Sequence, residues 1–241
     1  MFVADSHCHL ESLTLLPYTY PQLICIPSIT LDDANELHQY RKNHNNAKIG
    51  IGLHPWFIDA VSNKEELQQK LEASIEKYKP DFIGECGLDY YKPNVNMQLE
   101  YLKVHLATAN KYDLPIILHC VKAYADMIQL LKEFQPRRGI IHAFNGSHEI
   151  ACELIKQNMF LGIGSIITKP NNKLFDVIAN IPLAKLVIES DAPFMPIYGE
   201  TKFSPYSTFL YAQILALSKN INLIDCIKQV NNNLTKLFIT S

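Results

Sequence analysis

The sequence has no marked excess of either charge: 22 Lys and Arg face 24 Asp and Glu, a formal net charge of −2 over 241 residues. That excludes a globally basic nucleic-acid binder, but not a nuclease that neutralises phosphate locally with metal ions. No apolar stretch approaches the roughly 18 residues of a membrane span, so no membrane partner is expected. The start does not resemble a secretory leader, because Phe2-Val3-Ala4 is short, lacks a basic lead and meets Asp5 at once. A cytoplasmic location is therefore expected. The six cysteines, Cys8, Cys25, Cys86, Cys120, Cys152 and Cys226, include no CxxC pair. Without a leader they argue against a disulfide framework and read as reduced, mostly buried small apolar residues. Linkers, low-complexity segments and repeats are missing, as are a Gly-rich phosphate loop and a Ser-His-Asp arrangement. The GIGS stretch at 162–165 reads as a structural strand end.

What is present is a hydrophobic fraction of 48% and a charged fraction of 19%, ordinary for a globular protein. The length suits one large domain, taken here as residues 1–241. Short β-rich runs recur as FVAD (2–5), QLICIPS (22–28), KIGIGL (48–53), FIGECG (82–87), PIILHC (115–120), GIIHAF (139–144), MFLGIGS (159–165) and LVIESD (186–191). Between or after them, helical spacing marks 64–78, 98–112, 124–134, 148–157, 208–218 and 224–238. Continuous apolar strands alternating with helices predict a parallel sheet covered on both faces. Eight such units predict a somewhat distorted (β/α)8 TIM barrel. A doubly wound open sheet is the alternative, because alternation alone does not establish closure.

In a barrel, functional groups gather at the C-terminal ends of the strands. His7 and His9 leave the first run in DSHCH, and residues two apart on a strand share a face. His54, Glu85, His119, His142 and Asp191 fall at or just beyond the ends of later runs. Each alone reads as a hydrogen-bonded core residue; together they form a ring facing one point. Imidazole plus carboxylate suits Zn²⁺, Mn²⁺ or a similar divalent ion. His7, His9, His119 and His142 with Glu85 and Asp191 are too many donors for one tetrahedral ion but enough for two, and Glu85 has two oxygens with which to bridge them. Such a pair clamps the attacking and leaving oxygens of a displacement and supplies hydroxide near neutral pH. Asp191 has a second role there, orienting or deprotonating the attacking water. Strand alternation points Cys8, Cys86 and Cys120 away from this site.

Around the ring, His54 reads equally as a phosphate contact or a strand cap. Asp89 lines the mouth as a supporting acid, and the tyrosines beside it read as stacking surface or part of the core. Lys122 reads as a phosphate contact or a solvated helix start. His38, His44, His105 and His148 read as surface residues.

The blocks ADSHCHL, GLHPW, FIGECGLDYY, LPIILHC, GIIHAFNGS, LVIESDAPFMP and NNNLTKLF, in this order, resemble the TatD-type metal-dependent deoxyribonucleases, barrels of the wider amidohydrolase group. The resemblance covers nearly the whole chain. It implies one ion on His7, His9 and Asp191, a second on His119 and His142, and Glu85 between them, with Mg²⁺, Mn²⁺ or Zn²⁺ as the metal. It also implies hydrolysis of phosphodiester bonds in DNA, as an exonuclease. Two family arginine positions differ: HCVK carries Val121 where a basic residue is usual, and the loop GETKFSP keeps Pro205 without an Arg. Lys122 and Lys202 are the cations available in their place. The competing readings are a metallo-esterase such as a deacylase of misacylated aminoacyl-tRNA, a hydrolase of a small phosphoester, and a non-catalytic metal-stabilised interaction module. Nothing in the sequence calls for an obligate protein partner.

Overall fold

The computed structural model describes residues 2–9, 23–203 and 207–239. Its sheet is parallel and runs in simple sequence order through seven strands: β1 Ile24–Pro27, β2 Ala47–Ile51, β3 Phe82–Asp89, β4 Ile116–Val121, β5 Gly139–Ile141, β6 Met159–Ile163 and β7 Leu186–Ile188. Eight α-helices are described: α1 Ala34–Asn43, α2 Lys64–Tyr78, α3 Val95–Lys111, α4 Tyr124–Phe134, α5 His148–Lys156, α6 Leu174–Asn180, α7 Ser207–Ser218 and α8 Leu223–Leu237. Helices α2 and α4 lie where the spacing predicts them. Helices α1 and α6 also fall between strands, as the alternation predicts, but periodicity sets no bounds for them because their apolar stripes are short, with two buried residues each. No helix among the described residues is long and apolar enough to cross a membrane.

The first run, 2–5, departs from expectation: it is not a regular strand and contributes one isolated parallel bridge, Asp5 to Ile24. It nonetheless occupies the eighth position of the barrel. On one side Asp5 N donates to Leu23 O, Cys25 N to Asp5 O and Cys8 N to Cys25 O. On the other, Ser6 N donates to Ile188 O, Asp191 N to His7 O and His9 N to Ala192 O. These bonds join the two edges of the sheet into a distorted barrel. The ladder is irregular for a local reason. A parallel partner of Cys25 would engage it through residues two apart, yet Cys25 is held by Asp5 and Cys8, three apart. The intervening His7 N is turned aside to Asp5 Oδ1 at 3.2 Å, a side-chain bond that competes with the ladder. Asn231 of α8 completes the fastening, accepting from Ala4 N at 2.8 Å and donating to Phe2 O at 3.0 Å. Gln22, in the second predicted run, lies outside the described residues, as does Pro205.

The alternation of side chains along each strand sorts the barrel interior into levels. Ala4, Cys25, Phe82, Ile117, Ile140 and Val187 pack together at one level with Leu234 and Leu237 of α8. Two residues further along three of these strands stand His119, His142 and Glu189. The apolar plug and the polar ring are thus successive layers of the same inward face. Out-facing neighbours such as Ile116, Leu118, Ile141 and Leu186 join the layer beneath the helices. Burying each aliphatic chain contributes about 1.5–3 kcal/mol, so the plug is a stiff base for the ring.

Candidate metal centre

Glu85 on β3 stands in the middle of the polar layer, 2% exposed. Its Oε2 faces His7 Nε2 at 3.1 Å and His9 Nε2 at 3.8 Å. Its Oε1 faces His142 Nε2 at 2.9 Å, His119 Nδ1 at 3.0 Å and His54 Nε2 at 3.2 Å. Asp191 joins the Oε2 side, with Oδ1 at 3.3 Å from His9 Nε2 and 3.7 Å from His7 Nε2. Its backbone is left-handed (φ 50), a conformation Asp tolerates better than most residues. Close approach of β3 and β4 depends on Gly87 (φ 151), where a Cβ would lie 2.0 Å from His119 O. All six expected ligands therefore converge, together with His54.

This donor set fits divalent cations. His7 Nε2 and His9 Nε2 are 3.3 Å apart, and His119 Nδ1 and His142 Nε2 are 3.0 Å apart. Paired nitrogens at that spacing need a shared proton or a cation between them. Donors about 2.1 Å from a tetrahedral ion sit roughly 3.4 Å from one another, close to what is seen. Among the described residues, three sets have their ligand atoms within 4.8 Å of each other: His7–His9–Glu85, His7–His142–Asp191 and His54–Glu85–His119.

The electrostatics also call for positive charge. Burial pushes Glu85 up, but the imidazoles of His142, His54 and His7 and the bond to His119 hold its carboxyl well below the usual range. Asp191 is likewise raised by burial yet ends below its ordinary value beside His9, His142 and His7. Burial lowers His7 and His54, keeping both neutral near pH 7. His9, His119 and His142 lose to burial too, but nearby carboxylates raise all three above the ordinary value. Those protons are what a cation would displace.

His54 differs from the other histidines. Its Nδ1 accepts the Trp56 N–H at 3.1 Å, so the proton of the neutral ring resides on Nε2 and points at Glu85. A cation on Nε2 would force that proton onto Nδ1, against the Trp56 N–H. His54 is thereby a hydrogen-bond donor, capping the turn Pro55–Ala60 while aiming at the site.

Two carboxylates stand behind the ring. His119 Nε2 lies 3.7 Å from Asp89 Oδ2, and His142 Nδ1 lies 3.7 Å from Glu189 Oε1. Each imidazole thus faces Glu85 with one nitrogen and an outer acid with the other, the pattern that orients metal-bound histidines. Asp89 also accepts from Trp56 Nε1 at 2.7 Å and Tyr91 N at 2.9 Å. Burial raises its carboxyl, but His119, Trp56 and Tyr91 bring it down to about 2. It supports the wall of the site. Glu189 was not anticipated, although an acid in the run LVIES, two residues from Asp191, is a readable signal. It accepts from Ala143 N and Ser6 Oγ, in space left by Gly162, where a Cβ would meet Glu189 Oε2 at 2.0 Å. Asp5 was also passed over: its Oδ1 accepts from Ser190 N at 2.9 Å, tying the first segment to the chain beyond β7.

Lys122 is not drawn in. It is exposed just past the end of β4 and makes no hydrogen bond or ion pair among the described residues. Cys8 turns away as expected, packing with Ile24, Ile26 and Leu37. His105, expected at the surface, is 1% exposed, with Nδ1 donating to Tyr101 O at 2.7 Å and Nε2 accepting from Leu53 N at 3.0 Å.

A parallel barrel with imidazoles and carboxylates converging at its strand ends is the architecture of a metal-dependent hydrolase. The model of the TatD related DNase family matches residues 4–239, and the chain belongs to that family. It is 33% identical over 211 residues to the Escherichia coli K12 protein described as the uncharacterized metal-dependent hydrolase YjjV, covering 81% of each chain. The crystal structure of that TatD homologue superposes with a TM-score of 0.89 at 26% identity, covering 99% of this chain and 98% of the other. The Schizosaccharomyces pombe deoxyribonuclease Tat-D is 26% identical in an alignment 246 positions long, gaps included, that covers 84% of this chain and 78% of that one.

Proposed function

We propose that this metal-dependent hydrolase cleaves phosphodiester bonds in DNA, as an exonuclease, using two divalent ions from among Mg²⁺, Mn²⁺ and Zn²⁺. The observation that carries the two-ion reading is the division of Glu85: Oε2 faces His7 and His9, while Oε1 faces His119 and His142. His7, His9 and Asp191 would hold one ion, His119 and His142 the other, with Glu85 between them. Bound ions of this kind act as Lewis acids and lower the pKa of water. Asp191, kept ionised beside His9 and His7, orients the attacking water and takes its proton on the carboxylate. His54 would contact a phosphate oxygen through its Nε2–H, the donor that points at Glu85 in the structure. Asp89 holds His119 and the Trp56 indole in position, and Lys122 and Lys202 supply cations toward the flanking backbone. The family and the fission-yeast relative named a deoxyribonuclease support DNA as substrate.

The test is a substrate panel. Metal-loaded protein is incubated with single-stranded DNA, duplex DNA, an aminoacyl-tRNA and a simple phosphodiester. DNA is expected to be shortened, and Asp191→Asn to slow that reaction at least 100-fold. DNA left intact while the aminoacyl ester is cut would replace this function with that of a metallo-esterase.

A further inference from the structure

The sequence directs attention to the tyrosines after Asp89 as stacking surface, but the structure puts a different ring beside the histidines. Tyr90 is half-buried, with its hydroxyl on Asp126. Tyr91 is 73% exposed. Trp56 is 55% exposed, yet it is held from several directions. Its indole Nε1 donates to Asp89 Oδ2 at 2.7 Å. Its ring centroid lies 5.2 Å from that of His54 and 6.3 Å from that of His119, at interplanar angles of 87° and 76°. Its backbone N–H caps His54 Nδ1, at the start of a turn that opens with Pro55.

An exposed indole normally costs apolar surface in water, and nothing in its packing requires the ring to stay in one orientation at the surface. Here a buried carboxylate fixes that orientation, and the same carboxylate faces His119. The ring stands nearly perpendicular to the two imidazoles, beside the metal centre, and stays more than half exposed. Lys92 Nζ lies 4.4 Å from the indole centroid, so a cation accompanies the aromatic face. A planar π surface with an adjoining ammonium, next to a phosphoester-cleaving centre, matches the two halves of a nucleotide: base and phosphate.

We propose that Trp56 is the stacking platform for the nucleobase adjoining the scissile phosphate, with Lys92 moving from the ring to the phosphate of that nucleotide. The inference rests on the phosphodiesterase reading above and adds to it the residue that senses the base. It makes Trp56 a binding determinant, so the requirement for a base should show in KM more than in kcat.

Trp56 is the only tryptophan in the chain, so intrinsic fluorescence reads this residue alone. Metal-loaded wild type is titrated with a phosphorothioate-linked single strand, and with an abasic strand of equal length and charge. Quenching by the first and not by the second is expected. With cleavable strands, Trp56→Ala should raise KM about 5- to 150-fold, the range measured for loss of one base–aromatic stack, with kcat within about threefold. Trp56→Phe should recover most of the loss, and an abasic strand should make wild type behave like Trp56→Ala. Equal quenching by both strands, or cleavage of both alike with Trp56→Ala unchanged, removes the platform and leaves the phosphodiesterase standing. If wild type cleaves neither strand, the phosphodiesterase reading falls and the platform with it. The fluorescence arm uses unaltered protein, so a misfolded variant cannot obscure the result.

Discussion

Glu189 is the residue whose removal best probes how the ring is held. It is fully buried, accepts from Ala143 N and from Ser6 Oγ, and lies 3.7 Å from His142 Nδ1. Glu189→Gln preserves shape and an acceptor for Ala143 but removes the negative charge behind His142. Loss of an acid that orients a metal-bound histidine costs about 10- to 100-fold in metal affinity, or about 1.4–2.7 kcal/mol. Gly162→Ala reaches the same carboxylate by another route. Its new methyl would lie 2.0 Å from Glu189 Oε2 and 2.7 Å from Cδ, so the carboxylate must leave its seat. The two changes act through one group, and the double variant should therefore lose little more than the worse single variant. The assay is chelator competition for Mn²⁺ or Zn²⁺ at fixed pH, with circular dichroism to establish folding. Affinity within twofold of wild type in folded Glu189→Gln would refute the role assigned to Glu189. Fully additive losses would show that Gly162→Ala acts elsewhere.

His105 provides a pH test away from the metal centre. Burial lowers its pKa from 6.5 to about 4. The unfolded chain takes up this proton below pH 6.5 while the folded state resists it. Stability should therefore be full above that pH and fall by about 3 kcal/mol as the pH drops toward 4. Denaturant unfolding of His105→Gln should lack that part of the slope, and parallel pH profiles would refute the assignment. Asn231→Ala removes the two bonds that fasten the first segment to α8, at 2.8 and 3.0 Å. Unfolding free energy should fall by about 2 kcal/mol, roughly 1 kcal/mol for each bond; no change would mean the ladder bonds alone hold the segment.

Much of this architecture is legible in the chain because two periodicities coincide. Apolar runs such as PIILHC carry both the core residue Ile117 and, two positions on, His119, so finding the strand also finds the side chain that joins the polar ring. Helices with long apolar stripes, such as α2 with Leu67, Leu71 and Ile75, are equally plain. What escapes the sequence depends on contacts between distant segments. FVAD looks like a strand, but the Asp5 carboxylate captures His7 N and breaks the pairing. The His54 proton is placed by a backbone N–H two residues away, which spacing alone cannot reveal. His105 is polar and sits in a helix, so it reads as exposed until α3 is seen packed beside Leu53. Lys122 lies three residues after His119 in sequence, yet its side chain is exposed, with no partner among the described residues.

The most direct test of the metal centre is the divalent-metal content of the purified protein after saturation with Mn²⁺ or Zn²⁺ and removal of free ion. Wild type is expected to retain up to two ions per chain, and Glu85→Ala fewer, since both donor pairs converge on that one carboxylate. Wild type that takes up no metal, or Glu85→Ala that retains as much as wild type, would contradict the site described here.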